Sequence, residues 1–427
     1  MKPLLIKNGR VVDPAQNIDG VLDLAIQDGL IREVAPNLDT SGCDVFDASD
    51  LIVAPGFIDM HVHLREPGFE HSETIETGSR AAAAGGFTSV CCMPNTSPVN
   101  DNATVTRYIA DRARQFAIVN VYPIGAITKG SAGEELSSIA SMKEAGVVAI
   151  SDDGRPVMNA RVVRRAMEFA RTVDLPVIEH CEDLHLSAGG DMHEGVESTR
   201  LGLRGIPRSS EDVMVARDII LAEVTGVRYH VAHISSKYSV EMVAFAKRRG
   251  LPVSCEATPH HFALADSEMR PYDGNYKMKP PLREPVDVSA VAQGLIDGAV
   301  DAIATDHAPH PGDEKMQEFE RCPFGIIGLE TALGLSLERL YHNGSIALPH
   351  LVRLFTANPA RILSLDRGTL KPGAVADVTI FGLTHRWTYD VNSSASKSRN
   401  TPFNGHTFQG GPWATIVGGK IVWRAGG

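Results

Sequence analysis

GFIDMHVHLREPG, residues 56–68, decides how this chain is read. Its first half is an apolar run of strand length, and it ends with His61 and His63 two positions apart. Side chains alternate across a strand, so residues two apart share a face. Two imidazoles side by side at a strand end make a clamp for a divalent cation, Zn2+ among them. For an isolated pair, hydrogen-bonded surface histidines are the alternative.

Downstream the pattern repeats. Short apolar segments at Phe57–His63, Thr88–Met93, Val119–Gly125, Val147–Ser151, Pro176–His180, Tyr229–His233, Pro252–Glu256 and Ala302–Asp306 read as strands. Between them lie stretches with helical spacing, such as Glu73–Ala84, Ala103–Gln115, Ala160–Val173 and Ser210–Val224. This alternation predicts an α/β fold, a (β/α)8 TIM-type barrel, with a doubly wound open sheet as the alternative. No G-x-G-x-x-G follows the first of these strands, so nothing favours a dinucleotide. In such barrels the C-terminal strand ends form the active site. His61, His63, the Asp152-Asp153 pair, His180, His233 and Asp306 all fall there, with His307 and His310 just beyond.

The two ends of the chain differ from the middle. Leu4–Ile6, Val11–Val12, Leu22–Ile26, Leu30–Val34, Val378–Phe381, Ala414–Val417 and Lys420–Trp423 read as short strands, with Gly418-Gly419 as a hairpin turn. We expect residues 1–53 and 366–427 to form one small β-sandwich module beside a barrel of residues 54–365. The polar stretch 392–400 reads as a surface loop.

Composition narrows the function. A net charge of -11 with no Lys/Arg-rich run excludes a nucleic-acid partner. A small anionic substrate remains compatible, because a local Arg or metal outweighs global charge. No stretch approaches membrane-span length and the N-terminus lacks a secretory apolar region, so the expectation is a cytoplasmic protein without membrane contact. Six cysteines without a C-x-x-C pair are expected to be free thiols.

Taken in order, GFIDMHVHLREPG, SDDG (151–154), IEH (178–180), HVAHIS (230–235) and ATDHAPH (304–310) resemble the amidohydrolase superfamily. MPNTSP (93–98), TPHHF (258–262) and PFGIIGLE (323–330) narrow the resemblance to the bacterial type I dihydroorotases, and it covers nearly the whole chain. The resemblance implies reversible conversion of N-carbamoyl-L-aspartate and L-dihydroorotate. It gives His61, His63 and Asp306 to a first metal, His180 and His233 to a second, and Asp153 to the bridge, with one or two zinc ions in all. Asp152 is the competing bridge, and no carboxylated lysine is expected. Asp306 would also carry the proton. His63, Arg65, Asn95, His310 and the backbone at Phe324-Gly325 would contact substrate. Lys279 stands where the family usually has Asn before Pro-Pro-Leu-Arg. It could still meet a ring oxygen or carboxylate, but not in the same way. His260 and His261 are read as structural or supporting residues. The other readings are another cyclic amidase (allantoinase, hydantoinase or dihydropyrimidinase) or a structural partner of aspartate carbamoyltransferase. Association with that transferase in an active form, and a homo-oligomer, are further expectations.

Overall fold

The computed structural model describes residues 2–426. Two sheets dominate it, and the chain passes from one to the other at Pro55-Gly56-Phe57.

The first strands are β1 (Leu4–Asp13), β2 (Ile18–Gln27), β3 (Leu30–Ala35), β4 (Asp44–Asp47) and β5 (Ile52–Pro55). The segments Leu4–Ile6 and Val11–Val12, read as two strands from sequence, are one strand with a bulge between Ile6 and Gly9, where Asn8 has φ 63°. The extra residue lets one long strand pair on both sides without breaking. The chain later returns with β15 (Val378–Thr388), β16 (Thr407–Val417) and β17 (Lys420–Arg424). The order is β17-β16-β15-β5-β1-β2-β3, with β4 also pairing β1. β1 therefore forks: residues 4–7 pair with β4, and residues 10–11 pair with β5. Ile6, Leu24, Phe46, Val53, Ile380 and Ile416, drawn from across the sheet, share one apolar core, so the sheet wraps around it.

The middle of the chain forms a ring of parallel strands. β6 (Phe57–Val62), β7 (Phe87–Cys92) and β8 (Asn120–Pro123) pair in sequence order. So do β9 (Val177–Glu179), β12 (Tyr229–Val231), β13 (Val253–Ala257) and β14 (Ala302–Ile303). β10 (Met192–His193) and β11 (Gly205–Ile206) form a small pair outside the ring. Single bridges join the two arcs: Gly125 to Ile150, Ile150 to Val177, and Val62 to His307, all parallel. The segment around Ile150 is thus the fourth stave of an eight-membered α/β barrel. Every residue of β6 and β7 is buried, as expected for strands covered on both faces. Helices between the strands follow local signals. Thr74 caps Ile75–Ala84 in a capping box with Thr77, and Asn102 caps Ala103–Phe116.

The closing seam is held from below by Asp59. Its carboxylate accepts from the Thr305 N–H (3.1 Å), the Thr305 hydroxyl (2.6 Å) and the His61 N–H (3.1 Å). Burial pushes this carboxyl up to about 7, against those hydrogen bonds. At the other end of β6, Phe57 stacks on Phe355 at 4.9 Å and meets Phe381 of β15 at 5.8 Å, joining barrel and terminal sheet.

The expected surface loop at 392–400 is one only in part, with Asn392, Ser393, Lys397 and Arg399 exposed. Ser396, Ser398 and Asn400 are buried. The Asn400 amide donates to the carbonyls of Ala308 (2.9 Å) and Gly325 (3.0 Å). Its polar residues satisfy backbone groups behind the barrel mouth, which the surface reading of a Ser-rich stretch misses.

Candidate metal and substrate site

Six side chains converge at the C-terminal ends of the barrel strands. His61 closes β6 and His63 follows it; Asp153 follows the fourth stave; His180 follows β9, His233 follows β12 and Asp306 follows β14. His233 (φ 32°) and Asp306 (φ 47°) sit in the left-handed region. That conformation costs a non-glycine residue about 1–3 kcal/mol and persists where the surroundings impose it. Here it turns each side chain inward off its strand end.

Asp153 is the hub. Its Oδ1 lies 3.4 Å from His61 Nε2, 3.6 Å from His233 Nε2 and 3.9 Å from His180 Nδ1, and its Oδ2 lies 3.4 Å from His63 Nε2. Asp306 Oδ1 lies 3.0 Å from His63 Nε2 and 3.5 Å from His61 Nε2. Asp152, the competing bridge, is turned away. It accepts from the Ile127 and Thr128 N–H groups at 2.8 and 3.1 Å, and burial raises its carboxyl to about 6.

These residues fit a metal. His61, His63 and Asp306 offer ligand atoms within 4.8 Å of one another, as do His61, Asp153 and His233. His61 Nδ1 faces Glu256 Oε1 at 3.2 Å, which places its proton there and a lone pair on Nε2. That Nε2 and Asp153 Oδ1 are both buried without a hydrogen-bond partner. Lone pairs facing each other across 3.4 Å call for a cation between them. The carboxylates also favour positive charge at this spot: against burial, Asp153 and Asp306 raise the His61 ring well above the ordinary histidine value, and the same field would draw a metal cation in place of that proton. Asp306 shows the converse, with burial outweighed by the His61 and His63 rings that keep it below the usual carboxylate range.

Three of the histidines are gripped from outside. Glu256 holds His61 and also faces His230 Nε2 at 3.2 Å; burial works against its charge, but the two rings bring it down to about 2. The Asn95 amide oxygen lies 2.9 Å from His63 Nδ1, and Glu182 Oε2 lies 2.9 Å from His180 Nε2. Such outer contacts fix ring orientation and tautomer. Glu256 and Glu182 escaped the sequence reading. Glu182 stands two residues past His180, and Glu256 closes the segment Pro252–Glu256 expected as a strand, so the same rules would have found both.

Beside the cluster opens a cavity of about 540 Å3, lined by Arg65, Asn95, Asp153 and His310 among others. Arg65 Nε donates to the Pro309 carbonyl at 3.2 Å, and its Nη2 lies 3.3 Å from His310 Nε2. The guanidinium is thereby aimed before any ligand arrives. His310 is pushed down to about 3, by burial first and by the Arg65 charge next. Arg155 also lines the cavity and was not singled out from sequence. Lys279, Phe324 and Gly325 do not line it. The Gly325 N–H donates to the Lys277 carbonyl at 2.9 Å, and its carbonyl accepts from Lys315 and Asn400. A Cβ there would stand 2.8 Å from the Ala308 Cβ, so this glycine permits a close turn against the strand end. Of the TPHHF pair, His261 is bound to Thr258 and the Pro280 carbonyl, while His260 keeps a buried Nε2 without a partner.

Among the described residues, no helix is long and apolar enough to cross a membrane, and all six cysteines are free thiols.

A family model described as dihydro-orotase-like matches residues 50–239. The dihydroorotase of Solibacter usitatus is 68% identical over 421 residues, covering 99% of this chain and 98% of that protein. The dihydroorotase of Geobacter metallireducens is 54% identical over 422 residues, covering 99% of each. Among solved structures, the L-hydantoinase (dihydropyrimidinase) from Arthrobacter aurescens superposes with a TM-score of 0.89 at 24% identity, covering 100% of this chain and 97% of that one. At that identity the structural likeness speaks for the barrel fold alone. With relatives this similar from end to end, the chain belongs to the dihydroorotase family.

Proposed function

We propose that this chain interconverts L-dihydroorotate and N-carbamoyl-L-aspartate in pyrimidine biosynthesis, using zinc held by His61, His63, Asp153, His180, His233 and Asp306. One observation carries the reading: a buried imidazole–carboxylate cluster with unpartnered lone pairs stands beside a cavity that presents a fixed arginine. Imidazole and carboxylate ligands together suit zinc. A bound divalent cation acidifies water and polarises a carbonyl.

The protein's own groups do the rest. Arg65, with Asn95 and His310, grips the substrate carboxylate and orients the ring. His63 borders the same carbonyl; Phe324 acts through its own carbonyl, 2.9 Å from His310 Nε2, and Gly325 through the close turn it permits. Asp306, kept ionised by its neighbours, takes the proton of the attacking water as the ring amide opens and hands it to the departing ring nitrogen. In ring closure it removes that proton from the ureido nitrogen. The barrel of residues 54–365, the module of 1–53 plus 366–427, a cytoplasmic location and a homo-oligomer are parts of the same proposal.

The test is a direct assay on dihydroorotate, hydantoin and allantoin with added zinc, with and without aspartate carbamoyltransferase, alongside elemental analysis. We expect turnover of dihydroorotate above the other two, and one to two zinc per chain. Preference for hydantoin or allantoin, or full turnover by metal-free protein, overturns the reading.

A further inference from the structure

Lys279 does not line the cavity, and its surroundings show what it touches. Its Nζ lies 2.7 Å from Glu182 Oε1. The other oxygen of that carboxylate, Oε2, lies 2.9 Å from His180 Nε2. On the far side of the ring, His180 Nδ1 lies 3.0 Å from His233 Nε2 and 3.9 Å from Asp153 Oδ1. Ammonium, carboxylate and imidazole thus form a chain that ends at the metal cluster.

We propose that Lys279 and Glu182 are positioning residues for His180, and that Lys279 acts on the metal site rather than on the substrate. The inference rests on the reading of His180 as a metal ligand. A carboxylate only accepts, so the His180 proton belongs on Nε2 and the lone pair on Nδ1, the atom that faces Asp153 and His233. Glu182 is 6% exposed, so its charge needs a partner other than water. His180 satisfies one oxygen and Lys279 the other. A neutral, shorter Asn at 279 would leave that second oxygen without a countercharge. The ammonium is itself steadied by the Phe324 ring, whose centroid is 4.8 Å from Nζ. An anionic Glu182 makes the opposite nitrogen of His180 a stronger donor to a cation, the role Glu256 plays for His61.

The experiment measures zinc binding separately from turnover. Wild type and the variants Glu182→Gln, Lys279→Met and Lys279→Arg are stripped with a chelator, checked for fold by circular dichroism, and titrated with zinc against a chromophoric competitor. E182Q keeps shape while removing charge, and K279R keeps charge. We expect E182Q and K279M to weaken zinc binding by about 10-fold or more, and K279R to restore most of it. At saturating zinc, the KM of K279M for dihydroorotate should stay within about twofold of wild type. Zinc affinity within about twofold of wild type in both E182Q and K279M overturns the proposal. So does a raised KM in K279M with unaltered zinc affinity, which returns Lys279 to the substrate. A wild-type protein that binds zinc but fails to turn over dihydroorotate sinks the functional reading alone, because the affinity comparison still stands.

Discussion

Arg65→Ala separates a carboxylate-reading site from a generic cyclic amidase. Arg65 has φ 61°, and alanine bears the same backbone strain there, so the substitution reports on the side chain. The guanidinium is anchored through Nε on the Pro309 carbonyl at 3.2 Å, while the His310 Nε2 at 3.3 Å gives its proton to the Phe324 carbonyl, so both terminal nitrogens of the fork stay free toward the cavity. Two charge-assisted hydrogen bonds to a carboxylate are worth about 1.5–3 kcal/mol each. The cavity opens to solvent and water replaces part of the loss, so a net cost near 3 kcal/mol is expected. That corresponds to about 100-fold in kcat/KM for dihydroorotate. For 5,6-dihydrouracil, which lacks the carboxylate, the loss should stay below about threefold, because only uniform positioning is disturbed. Steady-state kinetics on both substrates with zinc saturating gives the two ratios. Equal losses would refute the carboxylate clamp.

Asp306→Asn keeps the shape of the residue but cannot shuttle a proton, so kcat should fall by about 10²- to 10⁴-fold in either direction; near-normal turnover removes Asp306 from the chemistry. Arg155 lines the cavity and has no salt bridge among the described residues, while the chain carries a net charge of -11. Arg155→Ala should therefore lower kcat/KM about threefold at low ionic strength and flatten its salt dependence, and an unchanged slope would show that Arg155 does not steer the anion. Cys43 is half-buried, whereas the other five cysteines are buried, with Cys92 and Cys255 pushed up to about 12 by burial. Alkylation of native protein near pH 8 should modify one thiol per chain, and six after denaturation; rapid native labelling of a second thiol contradicts this burial.

The catalytic end of the barrel is legible in the sequence because strand ends there are marked by residues that have no place in an apolar core. His61 and His63 show the alternation directly, and His180, His233 and Asp306 each terminate an apolar run. The eight staves follow from the same runs. What was not legible is long-range. Val147–Ser151 reads as an ordinary strand, but only Ile150 bridges its neighbours, so the fourth stave is a seam. Two adjacent aspartates look alike until the Ile127-Thr128 backbone claims Asp152. The Ser-rich stretch at 392–400 carries the composition of a loop, and its burial depends on carbonyls contributed by Ala308 and Gly325. Lys279 looks like a substrate contact from its position in a motif, whereas the ion pair with Glu182 spans a sequence separation no local pattern reveals.

The forked terminal sheet also bears on synthesis. β5 lies between β1, made before it, and β15, made only after the whole barrel. Until β15 leaves the ribosome, one edge of β5 stays open and Phe57 lacks its Phe381 neighbour. At about 5–20 residues per second, the intervening barrel keeps that edge waiting for tens of seconds. A nascent chain thus offers an unpaired, apolar strand throughout the making of its own active site. Chaperone dependence during translation should concentrate on that edge, and a chain released early would be lost by edge-to-edge association before any defect at the barrel mouth could matter.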